Sequence, residues 1–475
     1  MDRVVRQIAP FGLVLCGLLS PELFAGDWPQ FRGPGSLGHA VGTQPLPLEI
    51  GPKSHVAWRT PLPIGHSSPV IVGDRIFVTG VRDGQLLTIG LDRATGKVLW
   101  EQAAPHEQLE EIHRIGSHAQ CTPAADAERV VVFFGSCGLF CYDHAGKPLW
   151  QRRMGPFKND FGAGSSPIIV GDKVILAQDH DTDSFVMALD KKTGDIVWNT
   201  DRTEFFRNYC TPVIWDNAGR RQIVLAGTLR VVGYDLETGR EAWTVRGISR
   251  TVCMTPTVGD DGTLYVAGWS AGGDEGERIA LDPYDKFAPT VDQNGDGKFV
   301  EAELPKGNVL QRFTQFDRDK DGAITKTEYE DFRGLFDQSQ NVLMAIESGA
   351  TGEATTSHVR WKQPKLVPFC SSPLASQGLV FTVKDGGLVQ SLDGKTGKPA
   401  KQGRLEASGD YYASPVTGDG KIYLIDQQGR LTVLSAKDRW EIIHTADFGE
   451  DAYATPALLD GRLYLRTSAA LYGFE

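Results

Sequence analysis

The chain has 475 residues, of which 41% are hydrophobic and 23% charged, and its net charge is -11. This length exceeds that of one ordinary domain and suits a large closed β architecture. The acidic balance argues against a nucleic-acid partner, because phosphate binding needs a face rich in Lys and Arg. The 54 glycines and 26 prolines imply many turns, and therefore short strands.

Residues 1–25 are predicted to form a signal peptide. Arg3 and Arg6 make a charged start, an apolar stretch follows from Phe11 to Leu19, and Ala25 offers a small residue for cleavage. A membrane anchor is the alternative, but the stretch is shorter than the ~20 residues that a spanning helix needs. We therefore expect a periplasmic or secreted mature chain that has no transmembrane segment.

Six cysteines follow the predicted signal peptide, and their spacing fits no compact disulfide framework. Some could pair in an oxidising compartment, but buried free thiols are the favoured interpretation. The six are Cys121, Cys137, Cys141, Cys210, Cys253 and Cys370.

A Ser/Thr-Pro dipeptide recurs along the chain and opens an apolar strand each time. Successive prolines lie 41 to 54 residues apart, except for one interval of 117 residues that marks an insertion. Eight such dipeptides predict eight units. They begin at Ser68, Thr122, Ser166, Thr211, Thr255, Ser372, Ser414 and Thr455.

Each unit has the pattern of one β-propeller blade. A hairpin such as "SSPVIVGDRIFVTG" (67–80) is followed by a tight turn and a tryptophan, as in "LDRATGKVLW" (91–100). Four short strands in about 40 residues are typical of a blade. The last unit lacks its tryptophan strand, and the segment 55–60, with Trp58, can supply it and close the circle. The predicted fold is an all-β, eight-bladed β-propeller, with seven blades as the fallback.

These repeats resemble those of the PQQ-like β-propeller family, whose blades carry the motif A-x-D-x-x-T-G-x-x-x-W. The segment "DWPQFRGP" (27–34) is similar to the opening of secreted bacterial members, whereas "LDGKTGKPAKQ" (392–402) lacks the motif's tryptophan. The family includes quinoprotein dehydrogenases and non-enzymatic scaffolds of outer-membrane assembly. The resemblance therefore implies the architecture and leaves the activity open.

The insertion, residues 271–339, is predicted to be an α-helical EF-hand pair in blade five, between propeller parts 26–270 and 340–475. The segments 292–303 and 317–328 match the twelve-residue loop that surrounds calcium with six to eight oxygens. Gly297 and Gly322 make the sharp turns. The predicted ligands are Asp292, Asn294, Asp296, Lys298 (carbonyl) and Glu303, then Asp317, Asp319, Asp321, Ala323 (carbonyl), Thr325 (through water) and Glu328.

The two loops are expected to differ in affinity. Asn294 is uncharged and Val300 cannot hold a water, so the first loop is predicted to bind calcium more weakly. Residues 304–316 are predicted to form one helix, whereas the prolines in 282–291 predict a poor entering helix. A compact pair with a buffer-like or structural role is favoured over a calcium sensor.

The residue two positions before each Ser/Thr-Pro is expected to line a central funnel, on the same face as the insertion. This ring has no carboxylate, and the chain lacks the adjacent cysteines that the resemblance would imply for a PQQ dehydrogenase. We therefore expect calcium but not PQQ, and a monomeric, non-catalytic binding or scaffold protein with an unknown protein or small-molecule ligand at the funnel. The alternative is a quinoprotein-type oxidoreductase that uses PQQ. The ring residues are His66, Gln120, Gly164, Tyr209, Cys253, Cys370, Tyr412 and Tyr453.

Two further groups of residues are weaker candidates for a functional site. Asp179, His180, Asp181 and Asp183 could bind a cation, although a solvated hairpin is favoured. His113 and His118 could reach the funnel, although isolated histidines are more often surface residues.

Overall fold

The computed structural model describes residues 26–181, 183–274 and 276–475. The predicted signal peptide lies outside these described residues. Within them, eight sheets follow one another along the chain, each built on four antiparallel strands, and the fourth strand of the last sheet comes from the amino-terminal side. The prediction of an eight-bladed β-propeller is therefore confirmed.

The blades share one plan, in which inner strands are buried and the outermost strand is partly exposed. Strand bounds for blades one to four are Val70–Val72, Arg75–Arg82, Gln85–Asp92, Val98–Ala104; Ala124–Ala125, Arg129–Phe133, Leu139–Asp143, Pro148–Arg152; Ile168–Val170, Lys173–Gln178, Phe185–Asp190, Ile196–Asp201; and Val213–Asn217, Arg220–Gly227, Arg230–Asp235, Glu241–Arg246. Those for blades five to eight are Thr257–Val258, Leu264–Gly268, Val342–Ile346, Val359–Gln363; Leu374–Ser376, Leu379–Lys384, Leu388–Asp393, Pro399–Arg404; Val416–Gly418, Lys421–Ile425, Arg430–Ser435, Ile442–Asp447; and Ala457–Leu459, Arg462–Arg466, Ala470–Phe474, Val56–Pro61.

The circle closes as the sequence predicts. Val56–Pro61 pairs antiparallel with Ala470–Phe474, so the two ends of the propeller share blade eight. A short strand, Gly352–Glu353, also pairs in parallel with the outer strand of blade four.

The tryptophan of one blade packs on the turn glycine of the next. The Trp100 indole donates to the carbonyl of His144 at 2.9 Å, and a Cβ on Gly146 would lie 2.6 Å from the Trp100 ring. The glycine is required because only hydrogen fits there, and its φ is +85°. The other pairs are Trp58–Gly96, Trp150–Gly194, Trp198–Gly239 and Trp361–Gly397.

Blade six lacks the motif tryptophan, and blade seven supplies the missing ring. Trp440 packs against Gly403, where a Cβ would lie 2.8 Å from the indole, and Lys401 Nζ lies 4.3 Å from the centre of that ring. The departure from the repeat is therefore compensated within the neighbouring blade.

The recurring Ser/Thr-Pro has a structural cause. The backbone N–H of each Ser or Thr donates to the side-chain hydroxyl of its counterpart in the next blade, at 2.9 to 3.3 Å. The last bond, from Thr455 to Ser68, closes a ring of eight. Proline is tolerated at the next position because it precedes the first strand of the blade by one residue, and the ring needs no backbone N–H from it.

The segment 27–41 crosses the propeller beneath this ring. Trp28 pairs with Ile71 of blade one, and the buried Arg32 donates to the carbonyl of Pro373 in blade six at 2.8 Å. Val41 pairs with Leu459 of blade eight. The "DWPQFRGP" segment therefore ties several blades together.

The insertion separates two strands that pair with each other, Leu264–Gly268 and Val342–Ile346 of blade five. Its helices are α1 (Tyr284–Val291), α2 (Phe313–Phe316) and α3 (Lys326–Gln338), and a fourth short helix, α4 (Thr355–His358), follows in the next loop. Short 3₁₀ turns span Pro34–Ser36, Gly135–Cys137, Glu301–Glu303 and Leu310–Arg312.

Two helix predictions for the insertion are wrong. The prolines do not prevent α1, because Pro283 precedes it as its N-cap and only Pro289 lies inside. Residues 304–316 do not form one helix: helical structure starts only at Leu310, beyond Pro305 and Gly307, which disfavour it. In the described part of the chain, no helix has the length and apolar character to cross a membrane.

Candidate functional site

A cavity of about 370 Å³ lies at the centre of the propeller face that carries the insertion. All eight predicted ring residues line it, and so do the eight hydroxyl residues of the hydrogen-bonded ring. The position two residues before each Ser/Thr-Pro therefore marks the funnel wall in every blade.

One side of the funnel is an aromatic arc. The His66 imidazole stacks on the Tyr453 ring with centroids 3.8 Å apart, and Tyr453 lies 5.4 Å from Tyr412. Burial, helped by the charge of Arg466, lowers the pKa of His66 to about 3. The arc is therefore uncharged at neutral pH.

Another part of the wall contains Trp269, which directly follows the blade-five strand Leu264–Gly268, and Phe369. Their rings meet edge to face at 5.0 Å. Close by, the neighbouring Cys253 thiol together with burial raises the pKa of Cys370 well above its usual value. Both thiols are free, as are the other four cysteines of the described chain.

The funnel also contains charged groups that the ring pattern does not predict. Asp160, Arg207 and Arg250 line the cavity, and Gln315 reaches it from the insertion. The three charged residues lie upstream in the same loops as the ring residues. The ring pattern selects one residue from each loop and so does not identify these charged residues. Their available sequence signal is the length of those loops.

The second predicted calcium loop brings three carboxylates together. An oxygen from each of Asp317, Asp319 and Asp321 lies within 4.8 Å of the others. Asp317 is buried, and its Oδ1 has no hydrogen-bond partner in the described part of the chain. Glu328 accepts hydrogen bonds from the backbone of Arg318 and Thr325, both at 2.9 Å, which ties the two ends of the loop.

The first loop shares two internal hydrogen bonds with the second. Asp292 accepts from Gly297, and Asp296 accepts from Lys298 at 2.8 Å, as their counterparts do in the second loop. Asp292 also accepts from Gly295 at 2.7 Å. Glu303 accepts from Val300 at 3.1 Å. This loop is exposed, with Asn294 in place of one carboxylate.

The two loops are joined to each other. Phe299 pairs with Ile324 and Lys298 with Thr325 in a two-residue antiparallel bridge, as expected for paired loops. Lys298 Nζ also lies 3.2 Å from Asp321 of the second loop. Ala323 continues the same turn and is nearly buried.

The insertion packs directly against the propeller. Phe206, from the loop before blade four, belongs to the insertion's apolar core and stacks on Phe332 at 6.3 Å. The Arg250 guanidinium lies 4.6 Å from the centre of the Phe336 ring. The core face of α3 is therefore covered rather than open as a groove.

An ion-pair chain connects the second loop with the funnel. Lys320 Nζ lies 2.9 Å from the Asp181 carboxylate, which also accepts from Arg207. Arg207 in turn pairs with Asp160. The Lys320 charge of the second loop is therefore linked through Asp181 to Arg207 and Asp160, which both line the cavity.

The acidic stretch 178–184 serves in ion pairs. Asp179 binds the buried Arg202 through two hydrogen bonds of 2.8 and 2.7 Å, His180 stacks on Phe157, and Asp183 is exposed. The carboxylates of Asp179 and Asp181 are therefore committed to arginine and lysine rather than to a cation site.

The two histidines before blade two do not line the cavity. His113 packs edge-on against Phe161, with centroids 5.3 Å apart, and His118 Nε2 lies 2.7 Å from the carbonyl of Glu110. Ile115 and Gly116, between them, do reach the funnel wall.

An eight-bladed propeller with a central funnel and an inserted helical unit defines the class of protein. The chain belongs to the PQQ-like propeller family whose model, described as outer membrane protein assembly factor BamB, matches residues 51–286 and 341–472. The gap in that match covers both predicted calcium loops. No curated protein matches the chain.

Solved structures show the same fold at low identity. BamB from Moraxella catarrhalis is 16% identical, with a TM-score of 0.54 over 88% of this chain and 98% of that one. Quinohemoprotein alcohol dehydrogenase from Comamonas testosteroni is 13% identical, with a TM-score of 0.59 over 94% and 80%. The computationally designed Ika8 protein is 10% identical, with a TM-score of 0.55 over 89% and 99%.

Proposed function

We propose that this protein is a calcium-binding periplasmic propeller that acts as a non-catalytic binding or scaffold protein, with the funnel as its ligand or partner site. The observation that carries the calcium assignment is the cluster of Asp317, Asp319 and Asp321, in which the buried Asp317 Oδ1 has no partner. Calcium prefers several carboxylate and carbonyl oxygens. Residues 271–339 are assigned as an EF-hand pair.

Three features support the wider role. The insertion contacts the funnel through Gln315 and packs on Phe206, so calcium would order a structure at the rim of the cavity. The family's description names an outer membrane assembly factor, which agrees with a scaffold and with the predicted signal peptide. The negative net charge argues against a nucleic-acid partner.

Calcium titration of the chelator-treated protein by calorimetry tests the metal sites. We expect a tighter and a weaker site with dissociation constants in the range of about 10⁻⁷ to 10⁻³ M. Glu328→Gln should remove the tighter site and Glu303→Gln the weaker one. Asp331→Asn, an exposed acid of α3, is the matched control and should bind as wild type. Absence of calcium heat would remove the assignment.

The oxidoreductase alternative is tested separately. Purified protein is mixed with PQQ and calcium, and the quinone absorbance and the reduction of an artificial dye by alcohols are followed. We expect neither a shifted quinone spectrum nor turnover. Dye reduction above the level of PQQ alone would replace the non-catalytic proposal with the oxidoreductase.

A further inference from the structure

Two hydrogen-bond donors in the funnel wall have no acceptor among the residues that the structure describes. Arg250 Nε is buried without a partner, and within the described chain its guanidinium makes no hydrogen bond or ion pair. The indole nitrogen of Trp269 is likewise buried without a partner. Both side chains line the cavity. A buried donor without an acceptor destabilises the folded state, and a ligand-binding site is one explanation for such a donor.

Arg250, whose side chain is partly buried, differs from the fully buried arginines of the propeller. The Arg202 guanidinium is held by two hydrogen bonds to Asp179, and Arg466 donates to the backbone and hydroxyl of Ser67. The Arg202 and Arg466 side chains therefore serve to hold the fold together. Arg250 has only an aromatic face beneath it, which leaves its hydrogen-bonding edge for another partner.

The charge balance of the cavity favours an anion. Arg207 is already paired with Asp160 and with Asp181, so Arg250 carries the one uncompensated charge among the lining residues of the described chain. Burial, with repulsion from Arg312 and Arg207, lowers the pKa of Arg250 to about 10. The side chain remains protonated at neutral pH.

We propose that the funnel binds a small organic carboxylate, with the Arg250 guanidinium paired to the carboxylate and the Trp269 indole donating to it. This inference rests on the proposed role of the funnel as a ligand site, and it names the ligand's chemistry. The planar guanidinium fork matches a carboxylate. The arc of His66, Tyr453 and Tyr412 offers an uncharged aromatic surface to the apolar part of the ligand.

The size and charge of the site select a carboxylate over inorganic phosphate. A cavity of about 370 Å³ accommodates a ring with a carboxyl group. Phosphate would bring more charge and more acceptor oxygens than one unpaired cation and one indole can satisfy. An apolar body also gains from the aromatic wall, which a bare anion would not.

Ligand binding to the calcium-loaded full-length protein tests this inference. The probes are benzoate, the neutral benzyl alcohol and inorganic phosphate, with binding followed by calorimetry. We expect benzoate to bind at least tenfold more tightly than either of the others. Arg250→Gln should weaken benzoate at least tenfold, and Trp269→Phe should weaken it severalfold while keeping the ring.

Arg312→Gln is the matched control. Arg312 also lies over the Phe336 ring, at 5.8 Å, and is not among the lining residues of the cavity. Its removal takes away one positive charge from the same neighbourhood and should change benzoate affinity less than threefold. Arg250→Gln should melt at or above the wild-type temperature, because it removes a buried donor that has no partner; a merely structural arginine would give a lower value.

The outcomes separate this inference from the proposed function. Equal affinity for benzoate and benzyl alcohol, or for benzoate and phosphate, would overturn the carboxylate assignment and keep the funnel as a ligand site. Equal losses in Arg250→Gln and Arg312→Gln would overturn the specific pairing. No binding of any probe would also overturn the inference, whereas the calcium titration judges the metal sites independently.

Discussion

At the scale of single residues, the funnel wall is tuned by burial. His66 stacks on Tyr453 in a site where burial and the Arg466 charge hold its pKa at about 3. Unfolding returns the imidazole to a pKa of about 6.5. The folded propeller therefore keeps a neutral histidine over a pH range in which the unfolded chain takes up a proton.

This difference makes stability depend on pH with a definite sign. Between pH 6.5 and 3 the unfolded chain binds a proton at His66 and the folded chain does not, so the free energy of unfolding falls as pH falls. His66→Phe should reduce that slope by up to about 1.4 kcal/mol per pH unit. Chemical denaturation at a series of pH values measures it. The exposed His55→Phe is the control, and identical slopes in wild type and His66→Phe would contradict the account.

The residues of the funnel were only partly predictable. The ring that includes His66 and Tyr453 follows from the Ser/Thr-Pro period, because one position per blade must face the axis. Arg250 and Trp269 carry no comparable signal. Their significance comes from burial without a partner, which arises only when loops from different blades and the insertion meet.

At the scale of the blade, the repeated glycine carries the contact between neighbours. Gly194 has φ +76°, and a Cβ there would lie 2.7 Å from the Trp150 ring of the preceding blade. Gly73, in a hairpin turn, has φ +57° and open space around it. Both glycines have a positive φ, whereas Gly194 alone of the two is packed against a tryptophan ring.

Alanine substitutions separate these two effects. Gly73→Ala should cost only the left-handed conformation, about 1–2 kcal/mol. Gly194→Ala should cost that amount and, in addition, about 1–3 kcal/mol for overpacking against Trp150. The change in free energy of unfolding from denaturant titration decides between them. Equal losses of unfolding free energy in the two variants would mean that the Trp150 ring moves away from the added Cβ at no energetic cost.

The helices of the insertion show why local rules fail there. Prolines at 283 and 289 predict a poor entering helix, but Tyr284 and Val291 at the two ends of α1 bury their side chains in the insertion's core. Tertiary packing outweighs the weak intrinsic preference. The loop sequences were more informative for local structure, because their acidic residues and glycines fix the turns and the two-residue bridge between the loops.

At the scale of the whole molecule, a ring of hydroxyl groups joins all eight blades. Each Ser/Thr hydroxyl accepts from the backbone of the preceding blade, and the Thr455–Ser68 bond spans the point where the two ends of the chain meet. The dipeptide period predicted the number of blades. The inter-blade bonds were not predicted, since the sequence shows the recurrence but not the partner.

Breaking one bond of this ring should destabilise the propeller. Thr211→Val keeps the shape of the side chain but leaves the buried N–H of Ser166 without its acceptor. The expected cost is about 1–3 kcal/mol of unfolding free energy. Thr211→Ser keeps the hydroxyl and should lose less than half as much. A valine variant as stable as the serine variant would show that water replaces the bond.

We propose that calcium fixes the insertion at the rim of the funnel, and hydrogen exchange followed by mass spectrometry measures whether it does. Calcium should slow exchange strongly in residues 271–339, and more weakly in the loops around Phe206 and Arg250 that the insertion contacts. Glu328→Gln should remove most of the effect. Unchanged exchange in the insertion on addition of calcium would contradict the claim, and an equal slowing over all eight blades would contradict its localisation.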